Sequence, residues 1–392
     1  MAFRTFIFRN SINSNRCMRL AFSTQPSVKE NNKHKIKSWQ VHSYGGLDEL
    51  QLTLSRRPII RNPNDVIVKV TASSVNPIDV AMLSGYGSVL LNFMRQAKAC
   101  TFEEVLEFPL TLGRDFAGVV LQKGHGVTEY SIGDEVWGVV PVHDQGCHAE
   151  QVLIPKTCIK KKPDNISMTE AGSMLYAAVT AWSALKITGG LSLLPAKGKC
   201  VLVLGASGGV GTMAVQMLKL WGAHVVATCS SDAIPLVESL GVIDVIDYKE
   251  NDFFEKVQEH RYDIILDCAG IGQSNAGKYV RYLKDYTFSK FITLKSPMVK
   301  NFDDNGMLAG LAKNAADLVL VNFNTGILPK TSSIRWGFFI PMETSLTEIT
   351  SAVKNKSIIP CIQKTYKFDE LPMAYKHCQA GHLRGKLAID FQ

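Results

Sequence analysis

Three glycines, each separated from the next by two residues, are spaced as they would be around a bound phosphate group. They lie in the segment Gly205-Ala-Ser-Gly-Gly-Val-Gly211, which follows the apolar run Val201–Leu204 and precedes a segment of helical periodicity. A helix N-terminus offers free backbone N–H groups and a favourable dipole, and glycines let a phosphate approach them closely. Because an apolar strand precedes the turn and a helix follows it, the motif predicts a site for a dinucleotide pyrophosphate.

The end of the next predicted strand indicates which dinucleotide binds. It reads Ala227-Thr-Cys-Ser-Ser231, with no acid before Asp232, which we interpret as the cap of the following helix. A site selective for NAD usually has an acid at this strand end to hold the ribose hydroxyls. The small hydroxyl residues leave room for a 2′-phosphate, which favours NADPH over NADH. No arginine is adjacent in sequence, so Lys249, next to Tyr248, is the candidate cation for this phosphate.

A metal centre is not expected. Zinc-dependent medium-chain alcohol dehydrogenases hold the catalytic ion through a cysteine, a Gly-His-Glu motif and a later Cys or Asp. At the comparable turns this chain has Asn76-Pro-Ile-Asp79 and Gly113-Arg-Asp115. Neither turn offers the thiolate or imidazole that zinc prefers. The nine cysteines include no CxxC pair, so the sequence predicts no metal site.

Without a metal Lewis acid, hydride must go to an acceptor that is already electrophilic, such as a quinone or a conjugated enone or enal. The protein then supplies orientation, exclusion of water and a proton donor where one is needed. The candidate substrate contacts are Asn76, Asp79, Tyr86 and Tyr176. Tyr86 lies in the glycine-flanked segment Ser84–Gly87, which suits a pocket rim, whereas Asp79 could equally cap a helix.

The N-terminus predicts targeting to mitochondria. Residues 1–24 contain four arginines and no acid, with Phe, Ile and Leu between them, as in a transit peptide, and residues 25–36 are predicted to be a polar linker. The remaining residues carry only half of the net charge of +8 and lack a basic run with interleaved aromatics, which excludes a nucleic-acid partner. The longest apolar runs are strand-length, which predicts a soluble body that is at most peripheral to a membrane.

The elements that must position these residues fall into two patterns. Up to about residue 155, short alternating segments such as Ile67–Val70 are punctuated by glycine and proline, which predicts a β-rich domain. The segment Met168–Leu185 is rich in Ala, Met and Leu and predicts a helix. From Lys199 onward strands alternate with helices, which predicts a doubly wound parallel sheet. The last strand, Lys386–Asp390, could rejoin the β-rich domain.

Six motifs in this order resemble the quinone-oxidoreductase branch of the medium-chain dehydrogenase/reductase superfamily. They are Val75-Asn-Pro-Ile-Asp-Val80, Leu112-Gly-Arg-Asp-Phe-Ala-Gly-Val-Val120, Gly133-Asp-Glu-Val-Trp-Gly138, Ala178-Val-Thr-Ala-Trp182, the glycine-rich turn and Arg384-Gly-Lys386. The resemblance covers about residues 36–392. Ser84–Gly87, with the insertion that follows it up to Pro109, and Gly381–Lys386 are further similar to the mitochondrial reticulon-interacting oxidoreductases.

The resemblance implies an α/β fold in which a GroES-like β-rich catalytic domain (37–170) is interrupted by a Rossmann domain (171–335) and completed by residues 336–392. It implies that the active site lies in the cleft between the two domains. The cofactor-binding residues expected from the motifs are Ser207, Gly208, Gly209, Val210, Ser230, Tyr248, Arg384, Gly385, Lys386 and Leu387. Two segments depart from the pattern, namely Ala269–Gly272 at the nicotinamide side and residues 298–345.

The resemblance and the residues together predict a mitochondrial, zinc-independent, NADPH-dependent reductase of a quinone-type acceptor, in the matrix and linked to ubiquinone metabolism or biosynthesis. Two alternatives stay open: an NADPH-dependent reductase of enals or enoyl thioesters, and an NADPH-binding assembly protein with little turnover. The expected partners are a quinone or enone substrate, the surface of the inner membrane, a second copy of the chain, and reticulon-type or ubiquinone-synthesis proteins.

Overall fold

The computed structural model describes residues 35–392, so the predicted transit peptide and residues 25–34 of the predicted linker lie outside the described residues. The strands are β1 (Lys35–Val41), β2 (Gln51–Arg56), β3 (Asp65–Val75), β4 (Leu110–Thr111), β5 (Asp115–Lys123), β6 (Glu135–Val139), β7 (Gln151–Pro155), β8 (Ile159–Lys161), β9 (Cys200–Leu204), β10 (His224–Cys229), β11 (Asp244–Asp247), β12 (Ile264–Asp267), β13 (Lys290–Thr293), β14 (Ser333–Trp336), β15 (Ile362–Lys367) and β16 (Lys386–Asp390).

The helices are α1 (Pro77–Leu83), α2 (Ser88–Ala99), α3 (Met168–Gly172), α4 (Leu175–Trp182), α5 (Gly209–Leu220), α6 (Ile234–Ser239), α7 (Phe253–Gln258), α8 (Gly277–Val280), α9 (Met298–Asn324), α10 (Glu343–Lys354) and α11 (Leu371–Ala380). A π-helical turn, Ser183–Thr188, continues α4. Single turns of 3₁₀ helix lie at Leu47–Glu49, Lys156–Cys158, Ser231–Ala233, Gln273–Asn275, Leu328–Lys330 and Phe368–Glu370.

The predicted doubly wound sheet is confirmed. Its six strands are all parallel and run in the order β11-β10-β9-β12-β13-β14. Val201 and Val203 of β9 pack into one hydrophobic cluster, whereas Leu202 and Leu204 pack into another. Both faces of the strand are therefore buried, which explains its continuous apolar sequence. The strand order reverses between β9 and β12, and ligands bind at such a switch point.

The β-rich part consists of two sheets. The larger runs in the order β15-β16-β3-β5-β6-β8, with β7 paired to β3, and the smaller in the order β2-β1-β4. The last strand of the chain, β16, pairs antiparallel with β3, so the C-terminus does rejoin the β-rich part as the sequence suggested. Residues 35–392 group as one compact unit, and the domain boundaries at 170 and 335 stay predictions.

Two segments differ from the sequence-based expectation. The first strand begins at Lys35, within the predicted linker 25–36. The predicted helix Met168–Leu185 begins where expected, after a capping box of Ser167 and Glu170. It is divided into α3, α4 and the π-helical turn, because α3 ends at Ser173 and α4 begins after Met174. The long helix α9 is interrupted at Gly306, whose φ is 75°.

Among residues 35–392, no helix has both the length and the apolar character needed to cross a bilayer.

Candidate functional site

The glycine-rich turn joins β9 to α5 at the switch point of the parallel sheet. Gly205 has a φ of 76°, and a Cβ atom there would lie 2.9 Å from the backbone of Ala269. A Cβ atom on Gly211 would lie 2.2 Å from the carbonyl oxygen of Gly205, so this glycine lets α5 pack onto the turn. At Gly208 the nearest atom to a Cβ would be 3.6 Å away, so space is open in front of this residue.

The first turn of α5 faces that space. Gly208 is the N-cap residue, and no side chain within the described part of the chain caps the helix. The first backbone N–H groups of such a helix have no partner within the helix itself. They are therefore available to an anion, as the sequence predicted for the pyrophosphate.

A cavity of about 790 Å³ opens in front of the turn. Its wall includes Asn76, Tyr176, Ser207, Gly208, Gly209, Val210, Ser230, Tyr248, Arg384, Gly385 and Lys386. The structure thus brings together nine of the ten predicted cofactor residues and two of the four predicted substrate contacts. Their binding roles stay predictions. Leu387 is fully buried on β16, opposite Val75 and away from the cavity wall.

The C-terminal segment is held against the glycine-rich turn. The backbone N–H of Gly385 donates to the carbonyl oxygen of Ser207 at 2.8 Å. Gly385 has a φ of 83°, and a Cβ atom there would meet the carbonyl oxygen of Cys361 at 2.3 Å. The stem of Lys386 lies over Gly209, where a Cβ atom would come within 2.9 Å of its Cδ atom. Residues far apart in sequence therefore form one rim of the cavity.

Arg384 lies at the carboxyl end of β10, where the sequence offered Lys249 as the cation for the 2′-phosphate. Its guanidinium donates to Ser230 Oγ at 2.8 Å, and also to Asp232 Oδ2 at 2.8 Å. Hydrogen bonds from Ser230 and Arg384 lower the pKa of Asp232 to about 2. Lys249, the candidate chosen from sequence, is not in the cavity wall, and its Nζ atom lies 6.0 Å from the ring of Tyr248.

The interpretation of Asp232 as a helix cap is wrong. The helix begins at Ile234, its N-cap residue is Ala233, and no side chain of the described residues caps it. Asp232 lies one turn earlier and accepts hydrogen bonds from Ser230 Oγ at 2.6 Å and from Arg384. The ion pair with Arg384, which is 152 residues away, therefore explains where the Asp232 side chain lies, and helix capping does not.

Asn76 is fixed at the substrate side of the cavity by three neighbours. Its amide nitrogen donates to Asp115 Oδ1 at 3.0 Å and to Ser74 Oγ at 3.3 Å. Its amide oxygen accepts a hydrogen bond from the Lys386 ammonium. Lys386 is only 4% exposed, and the carbonyl oxygen of Val75 is its other acceptor. A fixed amide and a buried cation therefore stand together at this end of the cavity.

Asp115 positions both Asn76 and Tyr176, a role that sequence reasoning missed. Its second carboxylate oxygen accepts a hydrogen bond from the backbone N–H of Tyr176 at 3.1 Å, in the first turn of α4. The Tyr176 ring stacks on Phe339, with centroids 4.4 Å apart. Burial raises the pKa of the Tyr176 phenol, so it stays protonated and can donate a hydrogen bond. The motif Gly113-Arg-Asp115 is the signal in the sequence that points to this residue.

Asp79 acts as a structural residue, which is the capping alternative that the sequence left open. Its carboxylate accepts hydrogen bonds from the backbone N–H groups of Asn76 and Gly113, both at 2.9 Å. The Nε atom of Arg114 lies 3.7 Å from the same carboxylate, and both side chains are fully buried. Asp79 therefore caps α1 behind the cavity rather than facing a substrate.

Tyr86 is likewise outside the cavity wall. The Asp303 carboxylate of α9 accepts hydrogen bonds from the backbone N–H groups of Gly87 at 2.7 Å and Val89 at 3.2 Å, and so binds this loop to the divergent segment. Burial, and then the negative charge of Asp303, raise the pKa of Tyr86. Of the two tyrosines expected to contact a substrate, the structure therefore places Tyr176 in the cavity wall.

Comparison with known proteins identifies the fold and the family. The alcohol dehydrogenase GroES-like domain family matches residues 62–188, and a family described as zinc-binding dehydrogenase matches residues 240–389. The chain belongs to the medium-chain dehydrogenase/reductase superfamily, as the motifs predicted. The GroES-like and Rossmann parts of the predicted fold are thereby confirmed.

Within the superfamily, the chain is similar to proteins named mitochondrial NAD(P)H oxidoreductase RTN4IP1. It is 42% identical to the Drosophila melanogaster protein, over 91% of this chain and 87% of that one, and 40% identical to the Homo sapiens protein, over 91% and 89%. The quinone oxidoreductase of Coxiella burnetii has the same fold, with a TM-score of 0.73 and 24% identity over 91% of this chain and all of that one.

Proposed function

We propose that the chain is an NADPH-dependent oxidoreductase that transfers hydride to a quinone-type acceptor without a catalytic zinc ion. The observation that carries the cofactor is the Arg384 guanidinium beside Ser230, at the end of the second strand of the Rossmann sheet. This strand end is where the adenosine ribose lies in such folds. A 2′-phosphate there would meet both a cation and a hydroxyl donor.

The Asp232 carboxylate does not prevent this assignment. Its pair with Arg384 is exposed to solvent, and exposed pairs stabilise a protein only weakly. A guanidinium has five N–H donors in a fork, so it can turn from the carboxylate to a phosphate dianion. The names of the relatives, NAD(P)H oxidoreductase, support a nicotinamide cofactor without choosing between its two forms.

The residues at the other end of the cavity suit an acceptor that is already electrophilic. The nicotinamide, when bound, supplies the hydride. Asn76, held by Asp115 and Lys386, is a rigid amide that can orient a carbonyl group. The Tyr176 phenol and the Lys386 ammonium can donate hydrogen bonds to an oxygen that gains negative charge, and either one can supply its proton. A quinone or an enone needs nothing more from the protein.

The site of action is proposed to be the mitochondrial matrix, in ubiquinone metabolism or biosynthesis. The printed names of the relatives and the basic, acid-free residues 1–24 support a mitochondrial location. Leu308, Leu311 and Phe323 of α9 are exposed apolar side chains, which supports a peripheral contact with the inner membrane. Reticulon-type or ubiquinone-synthesis partners, and a homodimer, stay predictions.

The proposal is tested by titrating the purified chain with NADPH and with NADH, followed by assays against short-chain quinones and enals. We expect tighter binding of NADPH and its oxidation by quinones. Equal affinity for NADH would contradict the cofactor assignment. Turnover with enals but not quinones would favour an enal or enoyl reductase. Binding of NADPH that no acceptor oxidises would contradict both enzyme functions and favour an assembly protein.

A further inference from the structure

Four residues with metal-binding side chains meet at the amino edge of the parallel sheet, away from the cavity. Cys200, His224 and Asp244 are the first residues of β9, β10 and β11, which are three adjacent strands. His260 lies between α7 and β12. The cavity lies at the opposite edge, where the strands end. Because β9 is five residues long, its two ends are about 13 Å apart.

The distances among these side chains suit one small ion. The ligand atoms of Cys200, His224 and His260 all lie within 4.8 Å of one another. The Asp244 carboxylate oxygen is 2.9 Å from His224 Nε2 and 4.0 Å from His260 Nε2. In a tetrahedral site with bonds of 2.0–2.1 Å, ligand atoms are about 3.3 Å apart. Small side-chain rotations would therefore bring Cys200, His224 and His260 to coordination distance, and Asp244, beside both imidazoles, supplies the fourth ligand.

The backbone beneath the cluster is well fixed. The N–H of Cys200 donates to Asp263 Oδ2 at 2.9 Å, and its carbonyl oxygen accepts from the N–H of Asp263 at 2.8 Å. The parallel register places His224 opposite Cys200 and Asp244 opposite Val226. Three of the ligands thus stand on paired strands of a buried sheet, which limits the rearrangement that binding would need.

Of the two carboxylates near the cluster, Asp263 is paired with lysine, whereas Asp244 is not paired with a lysine or arginine in the described residues. The nearby Lys284 and Lys199 ammonium groups are both paired with Asp263, at 2.7 and 3.7 Å. Asp244 contacts only the two imidazoles among the ion pairs of the described residues. A metal that binds the Cys200 sulfur must displace the thiol proton to solvent.

We propose that Cys200, His224, His260 and Asp244 form a binding site for Zn²⁺ that is structural rather than catalytic. One thiolate, two imidazoles and a carboxylate are the ligand types that zinc prefers over magnesium or calcium. The ion would join the starts of three strands to the loop before β12. This site departs from the expectation of no metal, because that expectation considered only CxxC pairs and the turns near the substrate.

The test uses the full chain, first stripped of metal with a chelator and then titrated with Co²⁺ and Zn²⁺. We expect one equivalent of Co²⁺ to give the thiolate charge-transfer band and intense visible bands of a tetrahedral site. Zn²⁺ should displace it and raise the melting temperature. Cys200→Ser should abolish the thiolate band, and His260→Gln should weaken Zn²⁺ binding at least tenfold, measured against a chromophoric chelator.

Matched controls are Cys100→Ser and His125→Gln, which change an exposed cysteine and an exposed histidine elsewhere. Both should bind Zn²⁺ as the unaltered chain does. Because the cluster is remote from the cavity, NADPH affinity should be the same with and without Zn²⁺. Zn²⁺ affinity that is equal in His260→Gln and in the controls, or a thiolate band that persists in Cys200→Ser, would overturn the proposal and leave His224 and Asp244 as an ordinary surface ion pair.

Discussion

Among single residues, Arg384 brings a cation from the C-terminal segment to the proposed cofactor site. Replacing it with leucine removes the cation beside Ser230 and keeps most of the side-chain volume. Hydrogen bonds to charged groups contribute about 1.5–3 kcal/mol. The dissociation constant for NADPH should therefore rise about ten- to a hundredfold, whereas that for NADH should hardly change. Fluorescence titration of the bound nicotinamide measures both.

The matched control for Arg384 is Lys249→Leu, which removes a cation that lies near the same strand end but outside the cavity wall. It should leave the preference for NADPH intact. If Lys249→Leu abolished the preference and Arg384→Leu did not, the cation chosen from sequence would be right and the assignment of Arg384 wrong.

His148 is a buried histidine behind the site that should make stability depend on pH. Its Nε2 atom lies 3.1 Å from the carbonyl oxygen of Ser74, and its Nδ1 atom lies 3.0 Å from the hydroxyl of Tyr375. Burial lowers the pKa of His148 below the ordinary 6.5. The unfolded chain therefore takes up a proton below about pH 6.5 while the folded chain does not. The free energy of unfolding should fall as pH decreases from about 7 to 5.

In His148→Gln this slope should become shallower, by at most about 1.4 kcal/mol per pH unit, the amount for one proton. Burial also lowers the pKa of His143, so some slope should remain. The exposed His125→Gln serves as control and should reproduce the original slope. Urea unfolding at several pH values provides the measurement, and an identical slope in His148→Gln would show that His148 is protonated equally in both states.

At the scale of elements, two glycines of the turn between β9 and α5 are predicted to have different roles. Gly211 is needed for packing, and Gly208 for cofactor binding. In Gly211→Ala the new methyl group would lie 2.2 Å from the carbonyl oxygen of Gly205, so α5 must shift. Overpacking of this kind costs about 1–3 kcal/mol, which thermal unfolding would reveal. Gly208→Ala meets no atom closer than 3.6 Å and should keep its stability. Its methyl group enters the space in front of the helix, so NADPH affinity should fall about tenfold or more.

The two glycine variants control for each other. Gly208→Glu extends the series, because a carboxylate at the helix N-terminus should repel the pyrophosphate and nearly abolish binding. If Gly208→Glu bound NADPH with normal affinity, the glycine-rich turn would not be part of the cofactor site. This conclusion would hold whatever the stability of Gly211→Ala.

The central strands of the parallel sheet were predictable because they are buried on both faces, and the apolar run Val201–Leu204 falls within β9. In the β-rich part, the predicted strand Lys386–Asp390 coincides with β16. The motifs predicted that the C-terminal segment reaches the cofactor, but its partner at the end of β10 was not predictable from local sequence. Arg384 reaches Ser230 across 154 residues, and local sequence pointed instead to Lys249. The same limit applies to Asp232, whose partner is set by tertiary packing rather than by its position before a helix.

The substrate side of the site was less predictable than the glycine-rich turn. A strand, a glycine turn and a helix are adjacent in sequence, so their geometry follows locally. The environment of Asn76 is assembled from β3, β5 and β16, and its neighbours Asp115 and Lys386 are on different strands. Tyr86 is not in the cavity wall, and its loop is bound by Asp303, which lies in one of the two segments that depart from the family pattern.

For the whole molecule, the cavity takes its wall from both the parallel sheet and the β-rich part. Ser207 and Ser230 come from the first, and Asn76 and Lys386 from the second. A cofactor that fills this cavity contacts both parts, and residues 35–392 form one compact unit. Cofactor binding should therefore stabilise the entire unit against unfolding rather than the parallel sheet alone.

The predicted size of this effect follows from mass action. At a free NADPH concentration of one hundred times its dissociation constant, the free energy of unfolding should rise by about 2.7 kcal/mol. Calorimetry should show a single transition that moves to higher temperature as NADPH is added, and Arg384→Leu should need a higher concentration for the same shift. Two transitions, of which only one responds to NADPH, would mean that the β-rich part unfolds independently and that the C-terminal segment does not couple the two sheets through Lys386 and Gly385.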